Sequence, residues 1–388
     1  MKRTSETETH RALRRGVREV CARFPNEYWR ELDAERRYPQ AFVAAMTKAG
    51  YLAALVPEEY GGMGLDLSAA CTILEEVNRS GANAGPAHAQ MYTMGTLRRH
   101  GSKDQKEEYL PRIAAGELRL QAFAVTEPEA GTDTTSIQTT ATCEGDHYVV
   151  NGRKIYISRG EQSDLMILLA RTTSAGKVKK RSRGLSVFLV DLREAVGNGL
   201  TVEPRRVMMN NATNELVFEG LRVPAENLIG EEGEGFRYVL DGMNAERILI
   251  AAECIGDGRF FIEKSTRRAN EREVFGGPIG RNQGIQFPIA RAYAHVEAAS
   301  LMVENAAVLF DRGEPCGAEA NLAKLLAADA SWEAANVAVQ TFGGYAFDAE
   351  YDVERKFRET RLYQVAPIST NLILAHLAEH ILGLPRSF

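Results

Sequence analysis

The sequence predicts an α+β protein in which a β-barrel or sandwich lies between two helical segments. Apolar residues repeat at helical spacing over about the first 120 residues, in stretches such as 38–52 and 67–81. The chain then changes to short runs rich in β-branched and aromatic residues, which are typical of strands. Helical spacing returns near residue 235 and continues to the end. We therefore expect domains at 1–120, 121–234 and 235–388.

Glycine and proline mark the places where the predicted helices end. In the N-terminal segment, Pro57 and the glycines of EEYGGMG (58–64) predict a turn. In the C-terminal segment, the predicted breaks are VFGGPIG (274–280), DRGEP (311–315) and FGGYAF (342–347).

The middle segment contains the strand patterns. HYVVNGRKIYIS (147–158) predicts a hairpin with its turn at Asn151–Gly152. The basic run KVKKRSR (177–183) separates two later strands and is most simply the solvated tip of a hairpin. The later predicted strands are 165–170, 185–190, 200–204 and 214–223.

Composition excludes several classes of protein. A net charge of −5 gives no electrostatic reason to bind nucleic acid or anionic lipid. No run of about 18 apolar residues predicts a membrane span. The N-terminus MKRTSETETH lacks the apolar core of a secretory signal, and Glu6 and Glu8 argue against a transit peptide. The five cysteines are far apart and odd in number, which predicts reduced thiols and a cytoplasmic location. The histidines show no metal-ligand spacing, so we expect no metal site.

The run AVTEPEAGTD (124–133) carries groups that suit a planar cofactor. It offers hydroxyls at Thr126 and Thr132 and backbone amides near Gly131, where a side chain would block close approach. Tyr156 and Ser158, two residues apart, are expected on one strand face. A flavin needs hydrogen bonds to its ring edge and an aromatic wall. A threonine-rich loop beside an ordinary strand is an equally good interpretation of these residues alone.

Five motifs together resemble the acyl-CoA dehydrogenase family over essentially the whole chain. They are LVPEEYGGMGLD (55–66), FAVTEPEAGTD (123–133), NGRKIYIS (151–158), REVFG (272–276) and QTFGGYAF (340–347). The resemblance implies a homotetrameric FAD enzyme with a helical N-terminal domain, a β-barrel and a C-terminal four-helix bundle. It also implies α,β-dehydrogenation of an acyl-CoA thioester to the 2,3-enoyl-CoA, with an electron-transfer flavoprotein as acceptor.

The resemblance also implies which residues contact the flavin. Tyr156 stands where the family usually has Trp, and the pair Gly343–Gly344 could instead be a plain helix-breaking turn. The implied contacts with the flavin ring and its pyrophosphate are Phe123, Val125, Thr126, Gly131, Thr132, Tyr156 and Ser158. Gln283 is expected near the ribityl–phosphate region, and Ser369 and Asn371 near the adenosine end. The implied contacts with the flavin of a neighbouring subunit are Arg272, Phe275, Gln340, Gly343 and Gly344.

The catalytic base is expected at an unusual place. The position of the family's usual glutamate is Pro367, which cannot take a proton and has no backbone N–H to donate to the thioester oxygen. The isovaleryl-CoA and long-chain dehydrogenases carry their base in a Glu-Arg pair that Glu246–Arg247 resembles. The residues three and four positions from Glu246 are apolar or glycine, which predicts a desolvated carboxylate. The alternative is that Glu246 forms an ion pair and only orders the helix.

Substrate contacts and acyl preference follow from the same resemblance. Thr132, Asn244 and Arg247 match substrate-binding positions, although Arg247 could also be a surface ion-pairing residue. With the base on this helix and a small Ala366 beside Pro367, we expect a site that tolerates branched or cyclic acyl groups. Two other functions stay open: another flavin chemistry on the same fold, as an oxidase or monooxygenase, and a non-catalytic flavoprotein subunit.

Overall fold

The structure is a computed structural model that describes residues 6–386, so residues 1–5 of the N-terminal stretch discussed above lie outside it. The predicted order of helices, sheet and helices is confirmed. The α-helices are α1 Glu8–Cys21, α2 Asn26–Glu35, α3 Gln40–Lys48, α4 Leu67–Arg79, α5 Gly85–His100, α6 Lys103–Ala114, α7 Leu192–Ala195, α8 Gly235–Glu271, α9 Gln283–Asp311, α10 Gly317–Phe342, α11 Val353–Arg361 and α12 Thr370–His376. The strands are β1 Leu120–Ala124, β2 Thr140–Glu144, β3 His147–Ser158, β4 Leu165–Arg171, β5 Leu185–Asp191, β6 Leu200–Pro204, β7 Thr213–Pro224, β8 Leu228–Ile229, β9 Glu273–Val274 and β10 Gly277–Pro278.

The chain forms two compact units, and we describe each by itself. The helical unit contains the residues up to Glu35, Asp66–Ala84 and the residues from Asn244 onward. The sheet unit contains Arg36–Leu65 and Gly85–Met243.

The helical unit is packed through small residues. Helix α10 buries alanines along most of its length, and small side chains allow helix axes to approach closely. A Cβ added at Gly256 of α8 would lie 2.4 Å from the carbonyl oxygen of Glu75 in α4, and one added at Gly258 would lie 2.6 Å from Val296 in α9. Glycine is therefore required at these two positions, because a side chain would force the helices apart.

The sheet unit is built around a sheet in the order β6-β7-β3-β2-β4-β5-β8, with β1 paired in parallel to β4. Every residue of β4 is buried. Leu165, Ile167 and Leu169 belong to a core that also contains residues of α5 and α6. Met166, Leu168 and Ala170 belong to a second core formed among the strands. This burial on both faces explains why β4 is a continuous apolar run rather than an alternating one.

The predicted hairpin turn at Asn151–Gly152 was wrong. Residues 147–158 form the single strand β3, and the turn lies earlier, between Glu144 of β2 and His147. The Asn-Gly pair instead marks a register shift in the pairing of β3 with β7. Gly152 has φ 146°, and an added Cβ would lie 2.5 Å from the Thr139 hydroxyl oxygen. Glycine there serves close packing in an irregular strand, a role that the same dipeptide signal cannot separate from a turn.

The other strand predictions are confirmed, and the basic run lies where it was expected. Residues 177–183 connect the antiparallel strands β4 and β5, and Lys177, Lys179 and Lys180 are exposed. Arg183 pairs with Glu234, so one end of the run is attached to the rest of the unit.

All five cysteines lie within the described residues, and all are free thiols, as expected. Four are buried and Cys143 on β2 is exposed. Among residues 6–386, no helix combines the length and the apolarity that crossing a bilayer requires. The same part of the chain shows no group of three or more His, Cys, Asp or Glu side chains placed to hold a metal ion.

Candidate flavin and substrate site

The sheet unit presents the run 124–133 on a loop that joins β1 to β2. The first two carbonyl groups of the loop after β1 accept hydrogen bonds from residues of β3. Lys154 Nζ donates to the carbonyl oxygen of Val125 at 2.9 Å, and the amide of Ile155 donates to that of Thr126 at 2.9 Å. Neighbouring Phe123 packs edge-on against Tyr92, with ring centroids 5.4 Å apart. The loop backbone at Val125 and Thr126 is therefore fixed by strand β3.

A buried ion pair lies under this loop. Lys154 Nζ is 2.9 Å from Glu127 Oε1, and the Lys154 side chain is fully buried. The Glu127 carboxylate also accepts the backbone amides of Gln138 and Thr139, at 2.6 and 2.9 Å. Burial would raise the pKa of Glu127, but Lys154 and the Gln138 amide outweigh it and hold that pKa below its usual range. Glu127 therefore joins the beginning of the loop to its end.

The middle of the loop is open. Gly131 and Thr132 are exposed, and a Cβ added at Gly131 would meet nothing within 4 Å. The backbone there is accessible to a ligand within this unit.

Tyr156 and Ser158 lie at an irregularity of β3 that the alternation argument did not anticipate. The pairing with β7 is interrupted between Lys154 and Ile157, because the Ile155 amide bonds to the loop instead. Tyr156 adopts φ 58° and is 61% exposed, which is unusual for an aromatic residue in a strand. The Ser158 hydroxyl accepts the Asn211 amide at 2.9 Å. An exposed ring beside a fixed hydroxyl fits the aromatic wall that a flavin requires.

In the helical unit, Glu246 and Arg247 lie on α8. Glu246 is 8% exposed, so the carboxylate is buried, as predicted. Arg247 Nη1 donates to Asn244 Oδ1 at 2.9 Å. Burial lowers the pKa of Arg247, and Glu246 offsets part of that effect. Within residues 6–386 the buried Nε of Arg247 has no hydrogen-bond partner, which is the condition expected of a group that receives a ligand.

The turn before α12 contains Pro367, the residue predicted to stand at the position of the family's usual base. The Ala366–Pro367 bond is cis, and the following carbonyl, that of Ile368, accepts Lys324 Nζ at 2.8 Å. Lys324 is fully buried, and burial lowers its pKa. Ser369 caps α12 by accepting the Leu372 amide, and Asn371 is exposed.

The remaining predicted flavin contacts in the helical unit are all exposed. Phe275 is 98% exposed, with φ 50°, and lies with Gly276 in the two-residue turn between β9 and β10. Gly343 ends α10 with φ 61°, and nothing lies within 4 Å of a Cβ added at Gly343 or Gly344. The other exposed members are Arg272, Gln283 and Gln340.

Sequence reasoning did not find Lys154, Arg171 or Lys324. Each is a cation buried beside a predicted site segment. Lys154 could have been noticed, since it is charged at a position of β3 next to a buried isoleucine. Arg171 and Lys324 carry no signal, because a charged residue at the end of an apolar run or on a helix is common.

Three family models match the chain in succession. The model for the N-terminal domain of acyl-CoA dehydrogenases matches residues 7–117, that for the middle domain matches 122–221, and that for the C-terminal domain matches 233–382. Acyl-CoA dehydrogenase FadE12 of Mycobacterium tuberculosis is 34% identical over 386 residues, which are 99% of this chain and 98% of that protein.

Solved structures agree over the same length. The glutaryl-CoA dehydrogenase in complex with glutaryl-CoA superposes with a TM-score of 0.93 at 30% identity, covering 100% of this chain and 98% of that one. The prolyl acyl carrier protein oxidase AnaB superposes with a TM-score of 0.90 at 25% identity, covering 98% of this chain and 100% of that one.

The fold and these matches define a flavin-dependent oxidoreductase that acts on CH–CH bonds, with FAD as its cofactor. The chain belongs to the acyl-CoA dehydrogenase family. The residues present fit that cofactor, because the Tyr156 ring and the backbone at Gly131 are both open in the sheet unit.

Proposed function

We propose that the protein converts an acyl-CoA thioester to the 2,3-enoyl-CoA and that Glu246 is the catalytic base. The observation that carries this proposal is a buried carboxylate beside Arg247, whose buried Nε has no partner among the described residues. Pro367 supports it, because proline at the position of the family's usual base has nothing to protonate.

The chemistry divides between the cofactor and the chain. FAD, when bound, supplies the acceptor for the hydride that leaves the β-carbon of the substrate. Glu246 removes the proton from the α-carbon, a role that a positioned carboxylate can perform. Arg247, oriented by Asn244, binds the CoA-bearing part of the substrate with its free Nε. Thr132 is a further proposed substrate contact. Ala366 leaves room for a branched or cyclic acyl group.

The proposed cofactor contacts fall into two groups. Phe123, Val125, Thr126, Gly131, Thr132, Tyr156, Ser158, Gln283, Ser369 and Asn371 would contact the flavin, with no subunit specified. Arg272, Phe275, Gln340, Gly343 and Gly344 would hold the flavin of a neighbouring subunit in a homotetramer. The exposure of Phe275 supports the second group. An aromatic side chain that is 98% exposed gains almost no hydrophobic stabilisation within the single chain, and contact with a neighbouring subunit would bury it. An electron-transfer flavoprotein is the proposed acceptor. The domain limits at 120/121 and 234/235 and a cytoplasmic location stay predictions.

The first test is an anaerobic titration of the holoenzyme with straight and branched acyl-CoAs, following the flavin absorbance. For Glu246→Gln we expect flavin reduction to slow by about 10²–10⁴-fold while the acyl-CoA still binds, because the amide keeps the shape but cannot take the proton. Branched substrates should reduce the wild-type flavin at least as fast as straight chains of equal length.

Glu253→Gln is the matched control. Glu253 is also buried on α8, seven residues further along, where it accepts the Tyr363 hydroxyl at 3.1 Å. It should keep the rate of flavin reduction while losing stability. If Glu246→Gln is reduced as fast as wild type, another group is the base; a clear preference for straight chains would contradict the proposed acyl specificity.

A second candidate function is oxidation of a carrier-bound acyl group with oxygen as acceptor. Two observations favour it: the similarity to the prolyl acyl carrier protein oxidase AnaB and the missing amide donor at Pro367. The tests are peroxide yield and reduction by acyl carrier protein thioesters. Stoichiometric peroxide together with faster reduction by the carrier-bound substrate would replace the first proposal.

A further inference from the structure

Two buried cations hold the loop 125–139 at its two ends. At the first end, Lys154 of β3 bonds to the carbonyl of Val125 and to the carboxylate of Glu127. Glu127 in turn accepts the amides of Gln138 and Thr139. Lys154 therefore fixes the beginning of the loop directly and its end through Glu127.

At the second end, Arg171 of β4 binds carbonyl groups. Its Nη2 donates to the carbonyl of Thr135 at 2.8 Å and its Nε to that of Ile137 at 3.3 Å. The same guanidinium reaches the carbonyls of Arg181 and Arg183 in the basic run, at 3.4 Å each. Burial lowers the pKa of Arg171, so the cation is kept in a costly environment where backbone oxygens surround it.

Among the described residues, the part of the loop between these ends has only local hydrogen bonds. The amide of Ala130 bonds to the carbonyl of Glu127, and the Thr134 hydroxyl bonds to the carbonyl of Gly131. Residues 131–133 are exposed. The loop is thus an open arch between two fixed ends. Backbone hydrogen bonds from the Ile155 and Arg171 amides contribute to these ends, and one buried cationic side chain adds further bonds at each.

We propose that Lys154 and Arg171 are positioning residues for FAD, because they hold the two ends of the arch in the conformation that binds the flavin. The proposal rests on the assignment of residues 124–133 to the flavin. Neither cation would touch the cofactor; both would act through the loop backbone.

The test measures FAD affinity of the refolded apoprotein by flavin fluorescence quenching, together with the visible circular dichroism of the bound flavin. For Lys154→Met and Arg171→Met we expect the Kd for FAD to rise at least about tenfold, equivalent to about 1.4 kcal/mol. Arg171→Lys keeps the charge but has fewer donors in a different geometry, so its Kd should lie between those of wild type and Arg171→Met. Altered flavin circular dichroism should accompany each increase.

Arg119→Met is the matched control from the same unit. Arg119 is half-buried, donates to the carbonyl of Gln162 at 3.0 Å and lies over the Tyr38 ring, 5.3 Å from its centroid. Both partners lie outside residues 125–139. Its removal should lower stability and leave the Kd for FAD within about twofold of wild type, a difference of only about 0.4 kcal/mol.

Wild-type FAD affinity in a folded Lys154→Met or Arg171→Met protein would overturn the proposal, and so would an equal loss in Arg119→Met. Should Arg171→Met fail to fold, Arg171→Lys still decides, since an unchanged Kd in that variant would also overturn it. The outcome is independent of the proposed reaction, because FAD affinity is measured without an acyl-CoA.

Discussion

Lys154 of the sheet unit and Lys356 of the helical unit are both completely buried, and they differ in what surrounds them. Lys154 lies beside one carboxylate, that of Glu127. Lys356 on α11 lies between two, Asp257 at 2.7 Å and Glu359 at 2.8 Å. Burial lowers the pKa of Lys154 to about 8, since Glu127 offsets only part of it. At Lys356 the two carboxylates outweigh burial, and the pKa is raised.

The comparison links the number of carboxylates to the direction in which the pKa of a buried lysine moves from its usual value. One carboxylate does not offset the free-energy cost of removing the ammonium group from water, whereas two do. The lysines therefore serve different ends: Lys356 neutralises buried acids in a helix bundle, and Lys154 supplies a donor to a loop. The ammonium group of Lys324 donates to the carbonyl of Ile368, and within residues 6–386 no carboxylate is bonded to it, so Lys324 is a third case with no bonded carboxylate.

The largest effect should come from Lys356→Met. Removing the cation leaves Asp257 and Glu359 buried without it, so the free energy of unfolding should fall by about 3–5 kcal/mol. Urea unfolding of the holoenzyme measures this. The triple variant Asp257→Asn, Glu359→Gln, Lys356→Met removes the stranded charges and should recover part of the loss; no recovery would mean that packing, not charge, sets the cost.

Lys154→Met should cost less, about 1–3 kcal/mol of unfolding free energy. Glu127 keeps the amides of Gln138 and Thr139, and the main loss is the donor to the Val125 carbonyl. The same urea experiment applies. A loss equal to that of Lys356→Met would break the comparison, because it would show that the number of carboxylates is irrelevant.

The pH dependence of stability should differ in sign between the two units. Burial raises the pKa of Asp257 from 3.8 to about 7, so between these values the folded state binds more protons, and this group's contribution falls as pH rises. The pKa of Lys154 is lowered from 10.5 to about 8, so between pH 8 and 10.5 the unfolded state binds more protons, and its contribution rises with pH. Each slope is at most about 1.4 kcal/mol per pH unit.

Two variants separate these slopes. Asp257→Asn should flatten the curve between pH 4 and 7, and Lys154→Met should flatten it between pH 8 and 10.5. Thermal melts at one-unit intervals measure both. If a substitution leaves the corresponding slope of stability against pH unchanged, that slope belongs to another titrating group.

The smallest effect should come from Lys324→Met, about 0.5–1.5 kcal/mol, since only the carbonyl of Ile368 loses a partner. Urea unfolding should show a smaller loss of unfolding free energy for Lys324→Met than for Lys154→Met. A cost above that of Lys154→Met would reverse the order predicted from the count of carboxylates.

Sequence patterns predicted the fold because periodicity reports which face of an element is buried. The apolar run of β4 and the helical spacing after residue 235 were sufficient for those elements. The hairpin turn predicted at Asn151–Gly152 was wrong because a dipeptide that permits positive φ suits a turn and a strand irregularity equally well. Only the partner strand β7 decides between them, and pairing partners are not local information.

The candidate site was less accessible to sequence reasoning. Glu246 could be predicted as buried, since its neighbours one helical turn away are apolar. The backbone conformation of Tyr156 could not be predicted, because it follows from a hydrogen bond between the Ile155 amide and the carbonyl of Thr126, which is distant in sequence. The supporting cations at Lys154 and Arg171 were missed for the same reason: what they bind is backbone, which has no sequence signature.

The single exposed thiol has a practical consequence. Burial raises the pKa of Cys21 to about 11 and that of Cys254 well above its usual value, which suppresses the reactive thiolate at these two positions. Cys143 is exposed, three residues after the first residue of β2. A maleimide dye at neutral pH should therefore attach mainly to Cys143 in the unaltered chain. Because the isoalloxazine absorbs visible light, energy transfer from that dye would report cofactor loading in real time without an engineered cysteine.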